Sequence, residues 1–121
     1  MIYVPRGVTR EVLLIGPWAV KVPKLRYGWR AFLRGLLANI EEAAWGRATL
    51  DGFCPVVLVV PGGWLVVQRR ARSLTLEEWD ALDFEAFRDR AEYSIPVEYK
   101  RDSFGVVDGQ IVAVDYGGYG A

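Results

Sequence analysis

The chain has 121 residues, 52% of them hydrophobic, so we expect one folded domain over residues 1–121 with a modest core rather than a disordered chain. Lysine plus arginine number 15, as do aspartate plus glutamate, and a net charge of zero argues against general nucleic-acid binding, which depends on neutralising phosphates. The sequence has no histidine, which removes the usual zinc ligand and the usual general base, and its one cysteine excludes an internal disulfide.

The first residues, Met1 to Pro5, lack the basic start and the apolar run of a signal peptide. No stretch approaches the roughly 20 apolar residues that a membrane crossing needs. We therefore expect a soluble cytoplasmic protein with no membrane partner, either a monomer or a homodimer.

The N-terminal region predicts a lead-in followed by a hairpin. Residues 1–10 form either an irregular strand or an arm, and the β-rich runs 11–15 and 18–22 are joined by a glycine-proline turn. Side chains alternate along a strand, so Lys21 faces away from the valines on either side of it. Such a lysine commonly reaches water at the sheet edge, and the alternative is that it binds phosphate oxygens as a point charge.

The longest predicted element is a helix over residues 27–47. Its large apolar residues recur at intervals of three and four and form one broad face that we expect to pack on the sheet. These residues are Trp29, Phe32, Leu33, Leu36, Leu37, Ile40 and Ala44. A turn of about 100° per residue puts Glu41 on the border of this face and Glu42 nearer the back.

Two more strands are predicted over residues 55–60 and 64–68. The first is almost entirely apolar, which predicts a buried central strand. The arginine-rich stretch 68–72 that follows is either a binding surface for an anionic partner or a solvated strand end. Thr75 and Glu78 have the spacing of a capping box and begin the first of one or two short helices.

The C-terminal stretch has two short apolar runs on either side of Asp108-Gly109. That dipeptide is typical of a two-residue hairpin turn, because glycine tolerates positive φ. The second run, Ile111 to Val114, leads to Asp115 and a Tyr-Gly-Gly loop. A carboxylate there either holds a metal ion or is a solvated strand end.

These segments, taken over roughly residues 8–117, resemble a minimal protein-kinase-like fold of the kind that bacteriophages encode. The end of the chain is similar to the kinase segment that runs from the catalytic loop to the magnesium-binding DFG motif, which here reads Asp115-Tyr116-Gly117. The string Ala19-Val20-Lys21 is similar to the kinase strand whose lysine clamps the nucleotide phosphates.

The resemblance implies a role for each matching residue. Lys21 would hold ATP phosphates, and Asp115 would hold Mg²⁺. The partner of Lys21 stays open, because the helical wheel favours Glu41 whereas small microbial kinase-like sequences favour Glu42, the glutamate just before alanine. ATP and Mg²⁺ are thus the possible cofactors, and neither is required if the protein is inactive.

The sequence also departs from the kinase pattern. The glycine-rich loop is missing, because the glycine-proline turn is too tight to cradle phosphates. Ser103 stands where kinases have the metal-binding asparagine, and Glu98 stands where they have the catalytic aspartate. Glu98 and Asp102 are the remaining candidates for the catalytic base, and Ser103 and Asp102 for a second metal contact. Only four residues follow Gly117, so we expect no helical C-lobe to hold a peptide substrate.

The sequence therefore predicts an α+β fold with an antiparallel sheet of about five or six strands, one long helix and one or two short helices, resembling a reduced kinase. The favoured function is a pseudokinase-type protein that binds and modulates a host protein. The alternative is a minimal Mg/ATP-dependent serine/threonine-kinase-like phosphotransferase. A third possibility is a protein that merely oligomerises through its strands and aromatic residues.

Overall fold

The computed structural model describes residues 2–6, 10–24, 28–47 and 50–116. They form an α+β fold with an antiparallel sheet, one long helix and short helices, as the sequence predicts. The strands are β1 (Ile2–Arg6), β2 (Arg10–Ile15), β3 (Trp18–Pro23), β4 (Val56–Val60), β5 (Leu65–Arg69), β6 (Phe104–Val107) and β7 (Gln110–Ala113). The α-helices are α1 (Trp29–Arg47), α2 (Leu76–Ala81) and α3 (Phe84–Arg88), and a short 3-10 helix covers Arg101–Ser103.

The first five strands form one antiparallel sheet in the order β1-β2-β3-β5-β4, and β6 and β7 form a separate hairpin. The lead-in thus contains a regular strand, β1. The prediction that Val56–Val60 is a buried central strand is wrong, because β4 is the edge of the sheet and Leu58 is 57% exposed. An apolar run indicates a strand, but its place in the sheet depends on pairing with distant segments.

Local turn and capping signals correctly predicted several boundaries. Asp108 and Gly109 both have positive φ, at 52° and 78°, and join β6 to β7 as a two-residue turn. Thr75 and Glu78 form the predicted capping box at the start of α2. The side chain of Asp83 accepts a hydrogen bond from the Ala86 amide and caps α3.

Helix α1 packs on the sheet through a face that the apolar periodicity did not indicate. The side chains that pack inward are small or polar, apart from one phenylalanine, and the buried set is Phe32, Gly35, Ala38, Asn39, Glu42, Ala43 and Gly46. Trp29, Leu33, Leu37 and Ile40, which were predicted to be buried, are 46% to 73% exposed. Small residues let the helix approach the sheet closely, and a Cβ atom added at Gly46 would collide with Val56 and Tyr116.

The main cluster of buried apolar side chains lies beside the C-terminal hairpin. It consists of Phe53, Leu74, Ile95, Val97, Phe104, Ala113 and Tyr116. The hairpin is tied to the rest of the chain by isolated bridges, which pair Ala113 with Phe53 and Val106 with Arg72. In the described part of the chain, no helix has the length and apolarity to cross a membrane.

Candidate functional site

A cluster of four buried or partly buried charges joins β2, β3, α1 and the chain that follows β7. It consists of Arg10, Lys21, Glu42 and Asp115 and is called the charge cluster below. The first three side chains are no more than 7% exposed, and that of Asp115 is 17% exposed. Buried charges persist only when they are paired, so each contact in this cluster has a structural consequence.

Lys21 reaches Glu42 across the interface between the sheet and α1. Its Nζ lies 2.8 Å from Glu42 Oε1 and also donates a hydrogen bond to the carbonyl oxygen of Val114. Ala19 and Lys21 are the buried residues of β3, so the predicted alternation is confirmed, and Lys21 does not reach water at a sheet edge. Glu41, the other candidate partner, is only half-buried, so the pairing with Lys21 belongs to Glu42.

Arg10 links both acids of the cluster. Its Nη2 lies 2.8 Å from Glu42 Oε2 and 2.7 Å from Asp115 Oδ1, and its Nη1 donates to Asn39 Oδ1 at 3.3 Å. The guanidinium therefore occupies the space between the glutamate of α1 and the aspartate that follows β7. Two positive and two negative charges make the cluster electrically neutral.

Two neutral groups complete the hydrogen bonding around the cluster. The backbone amide of Tyr116 donates to Glu42 Oε2 at 3.2 Å. The Glu42 carboxylate therefore has three donors: this amide, the Arg10 guanidinium and the Lys21 ammonium group. The Asn39 amide nitrogen donates to the carbonyl oxygens of Lys21 and Gly63. These bonds hold α1 at a defined position along the sheet and satisfy groups that would be costly to bury unpaired.

The pKa values of the cluster show how burial and neighbouring charges act against each other. Burial alone would raise the pKa of Glu42, but Lys21 and Arg10 outweigh it and hold that pKa at about 2. Burial is the largest influence on Lys21 and lowers its pKa, although Glu42 opposes the shift. Burial would also lower the pKa of Arg10, and its two carboxylate partners raise it instead. Glu42 and Arg10 are therefore charged near neutral pH.

A small cavity adjoins the cluster, between the sheet and the C-terminal hairpin. Its volume is about 100 Å³, which is well below the roughly 300–1,000 Å³ of ordinary ligand pockets. The cavity is lined by residues of the charge cluster, by hydrophobic side chains and by charged groups at its edge. These residues include Arg10, Val12, Lys21, Gln68, Asp102, Phe104 and Asp115. By itself the cavity has room for a small polar molecule.

The arginine-rich stretch 68–72 uses its charges and part of its backbone within the chain. Arg69 pairs with Asp108 and Arg72 pairs with Glu78, each through two hydrogen bonds. The amide and carbonyl of Arg72 also exchange hydrogen bonds of 3.0 and 2.8 Å with Val106. Two of the three arginine charges are thus paired before any anionic partner arrives.

The remaining predicted site residues are only partly brought together. Asp102 and Asp115 line the same cavity, and the backbone of Ser103 lies beside them, accepting a hydrogen bond from the Val114 amide. Glu98 is exposed, pairs with Lys100 at 3.3 Å and does not line the cavity. Gly117, the last residue of the DFG-like motif, lies outside the described residues.

Arg10 competes with any divalent metal for Asp115. Within residues 2–6, 10–24, 28–47 and 50–116, no three side chains of the metal-binding types converge. One carboxylate oxygen of Asp115 is bound to Arg10, and a magnesium ion at that oxygen would face the guanidinium charge.

No site role was predicted for the side chains of Arg10, Asn39 and Gln68. A period-two signal was available for Arg10, which shares its face of β2 with Val12 and lines the cavity with it. Gln68 is buried and lines the cavity, and its Nε2 has no hydrogen-bond partner in the part of the chain that the structure describes. No local pattern distinguishes Asn39 from an ordinary polar residue on a helix.

Neither a protein-family model, nor a curated protein, nor a solved structure matches this chain. What the site does is therefore inferred from its geometry and charge.

Proposed function

We propose that this protein is a kinase-like scaffold of the pseudokinase type, which binds and modulates another protein without using ATP. If the chain is phage-encoded, that partner is a host protein. The observation that carries the proposal is the position of Arg10, which neutralises both Glu42 and Asp115 from within the chain.

The kinase-like part of the proposal is supported by the arrangement around Lys21. A lysine on β3 pairs with a glutamate of the long helix, and Asp115 follows the C-terminal hairpin close to both. These are the relative positions that the sequence resemblance implies for a phosphate-binding lysine, its partner and a metal-binding aspartate.

The inactive part of the proposal is supported by counting charges. A lysine, a glutamate and an aspartate together carry one net negative charge, which favours a divalent cation such as Mg²⁺. Arg10 brings the same group to zero, so the cluster is balanced without a ligand. A metal ion at the Asp115 oxygen that Arg10 binds would have to displace Arg10, and that would leave a buried guanidinium with one partner fewer.

Shape supports the same conclusion. The cavity beside the cluster has a volume of about 100 Å³, which is too small for adenine, ribose and three phosphates. In the arginine-rich stretch 68–72, the backbone amide and carbonyl of Arg72 are already paired with Val106. Glu98, the candidate base, points to Lys100 and not to the cavity.

The competing function is a reduced Mg/ATP-dependent phosphotransferase. One observation favours it: Lys21, Asp102 and Asp115 line a single cavity, so a phosphate-binding cation and two acids do converge. In that case Arg10 would have to swing away when the nucleotide binds, and Asp115 would be required for binding.

The two functions are separated by thermal unfolding in the presence of ATP and Mg²⁺. A ligand that binds the native state must raise Tm by mass action. We expect no change in Tm up to several millimolar ATP and Mg²⁺, for the wild type or for Asp115→Asn, and no transfer of labelled phosphate. A magnesium-dependent rise in the wild type that is absent in Asp115→Asn would overturn the proposal in favour of the phosphotransferase.

The binding half of the proposal requires a separate measurement. A protein recovered with the chain from host cells is expected to bind the purified chain with a fixed stoichiometry in calorimetry. If no recovered protein binds the purified chain, and if ATP with Mg²⁺ raises its Tm, then both the partner-binding and the ATP-independent parts of the proposal are wrong.

A further inference from the structure

The outward face of α1 carries a contiguous apolar surface. We call it the α1 patch and define it by Trp29, Leu33, Leu37 and Ile40, together with Trp64 from the turn before β5. These side chains are 46% to 73% exposed. The ring of Phe32 packs against both tryptophans, at 5.7 Å from Trp29 and 5.4 Å from Trp64, so the two ends of the patch are joined.

The size of the patch is that of an interaction surface. With about 150–250 Å² for a whole aromatic side chain and less for leucine or isoleucine, these exposures amount to about 500 Å² of apolar surface. The largest apolar patch on a typical monomer is about 300–600 Å² and is often functional. Two such patches facing each other would bury about 1,000 Å², which is close to the lower limit for a specific protein interface.

Two charges lie along one side of the patch. Arg34 and Glu41 are seven residues apart, so they project from the helix within about 20° of each other. Both lie on one side of Leu37, whereas Leu33 and Ile40 lie on its other side. Neither makes an ion pair within the described residues. The basic member is in the N-terminal half of α1 and the acidic member is in the C-terminal half.

We propose that the α1 patch is the dimer interface of this protein and that its occupant is the α1 patch of a second copy, packed antiparallel. An antiparallel pair of identical helices has a two-fold axis, which brings Arg34 of each helix towards the acidic position 41 of the other. These two charges are therefore complementary across the axis. The inference does not depend on the resemblance to kinases or on whether ATP binds.

The register follows from the spacing along the helix. If the two-fold axis passes midway between Leu37 and Ile40, Leu37 meets Ile40 of the partner subunit, and Leu33 meets the partner's Ala44. Arg34 and the partner's Glu41 then differ in height by about 3 Å, which is within reach of an arginine side chain. Both pairs occur twice in the dimer.

Sedimentation velocity over a concentration series tests the interface. We expect the wild type to pass from monomer to dimer with rising concentration. Leu37→Glu places a carboxylate at the centre of the patch and is expected to raise the dissociation constant at least tenfold. Leu76→Glu, at a residue of α2 that is 63% exposed, is the matched control and should dimerise like the wild type. A wild type that is monomeric at several hundred micromolar, or a dimer that Leu37→Glu does not weaken, overturns the proposal.

Charge reversal tests the antiparallel register. Arg34→Glu and Glu41→Arg each create two like-charge pairs across the two-fold axis, so each variant alone is expected to dimerise more weakly than the wild type. When the two variants are mixed, both ion pairs of the heterodimer are again complementary. Native mass spectrometry should show the heterodimer in excess over both homodimers. A statistical mixture would contradict the register, and equal homodimer affinities for the variants and the wild type would contradict the ion pair.

Discussion

The two faces of α1 reverse the usual arrangement of a helix on a sheet. The buried face carries Asn39, Glu42 and several small residues, whereas the outward face carries tryptophan, leucines and isoleucine. On the buried face a network of charged hydrogen bonds fixes the position of the helix, and on the outward face large apolar groups remain in contact with solvent. The contrast shows that burial of α1 follows specific pairing with Arg10 and Lys21 rather than hydrophobicity.

This arrangement has a physical basis in how close the helix comes to the sheet. Large side chains would hold the helix axis away from the strands, whereas Ala38, Ala43 and Gly46 allow close approach. Close approach in turn places the Glu42 carboxylate within 2.8 Å of both Lys21 and Arg10. The apolar side chains must then lie on the other side of the helix, where they are available to a second protein surface.

Two neighbouring glutamates that differ in burial, Glu41 and Glu42, give the strongest test of this contrast. Glu42→Gln leaves Lys21 and Arg10 with too little negative charge in a buried site, and breaking such a pair costs about 3–5 kcal/mol. Glu41→Gln removes a half-buried charge that makes no ion pair in the described residues, and we expect its effect to stay within about 0.5 kcal/mol. Urea unfolding at neutral pH measures both, at concentrations low enough to keep the protein monomeric.

Similar losses in the two variants would contradict the assignment of Glu42 as the anchoring acid. They would mean that the free energy of the cluster is carried by Asp115 and Arg10 without the glutamate.

Low pH should reduce the free energy that the buried face of α1 contributes to stability. The pKa of Glu42 is about 2 in the folded protein and 4.5 without its partners, so its contribution is fully present above about pH 5 and is lost as the pH falls towards 2. A depression of this size corresponds to about 3 kcal/mol in the free energy of unfolding. The measurement is that free energy at several pH values for the wild type and for Glu42→Gln. The difference between the two should shrink with falling pH, and a difference independent of pH would refute the linkage.

A smaller loss of stability is expected from a substitution at Gly46, where α1 packs tightly against its neighbours. Gly46→Ala raises helix propensity, by about 1 kcal/mol, but the added methyl group collides with Val56 and Tyr116. Overpacking of this kind costs about 1–3 kcal/mol, so we expect a net loss of stability in chemical denaturation. Adding Val56→Ala should make the effect of Gly46→Ala milder, as a double-mutant cycle would show. A stabilised Gly46→Ala would mean that the helix can shift away from the sheet.

Much of the fold could be predicted because its signals are local. The turn at Asp108 and Gly109, the capping box at Thr75 and the alternation that buries Lys21 all depend on residues within a few positions of one another. The α+β class follows from these elements. The helical wheel failed for the same reason: periodicity shows which residues of α1 share a face, but not which face meets the sheet.

The central residue of the site could not be found by local reasoning. Arg10 is 105 positions away from Asp115, and nothing near either residue indicates that they meet. The wheel favoured Glu41 because it assumed an apolar buried face, whereas the real interface is polar and contains Glu42. The same assumption hid the α1 patch, since its residues had been assigned to the core.

The contact between Arg10 and Asp115 also has a consequence for how the protein folds and unfolds. Closing a loop of that length is entropically unfavourable, and such long-range contacts generally form late in folding. Once formed, they make the C-terminal hairpin and β2 depend on each other, because local opening of either would leave a buried guanidinium without one of its carboxylates. β2 and the C-terminal hairpin are thereby joined in one cooperative unit, with little scope for either to open alone.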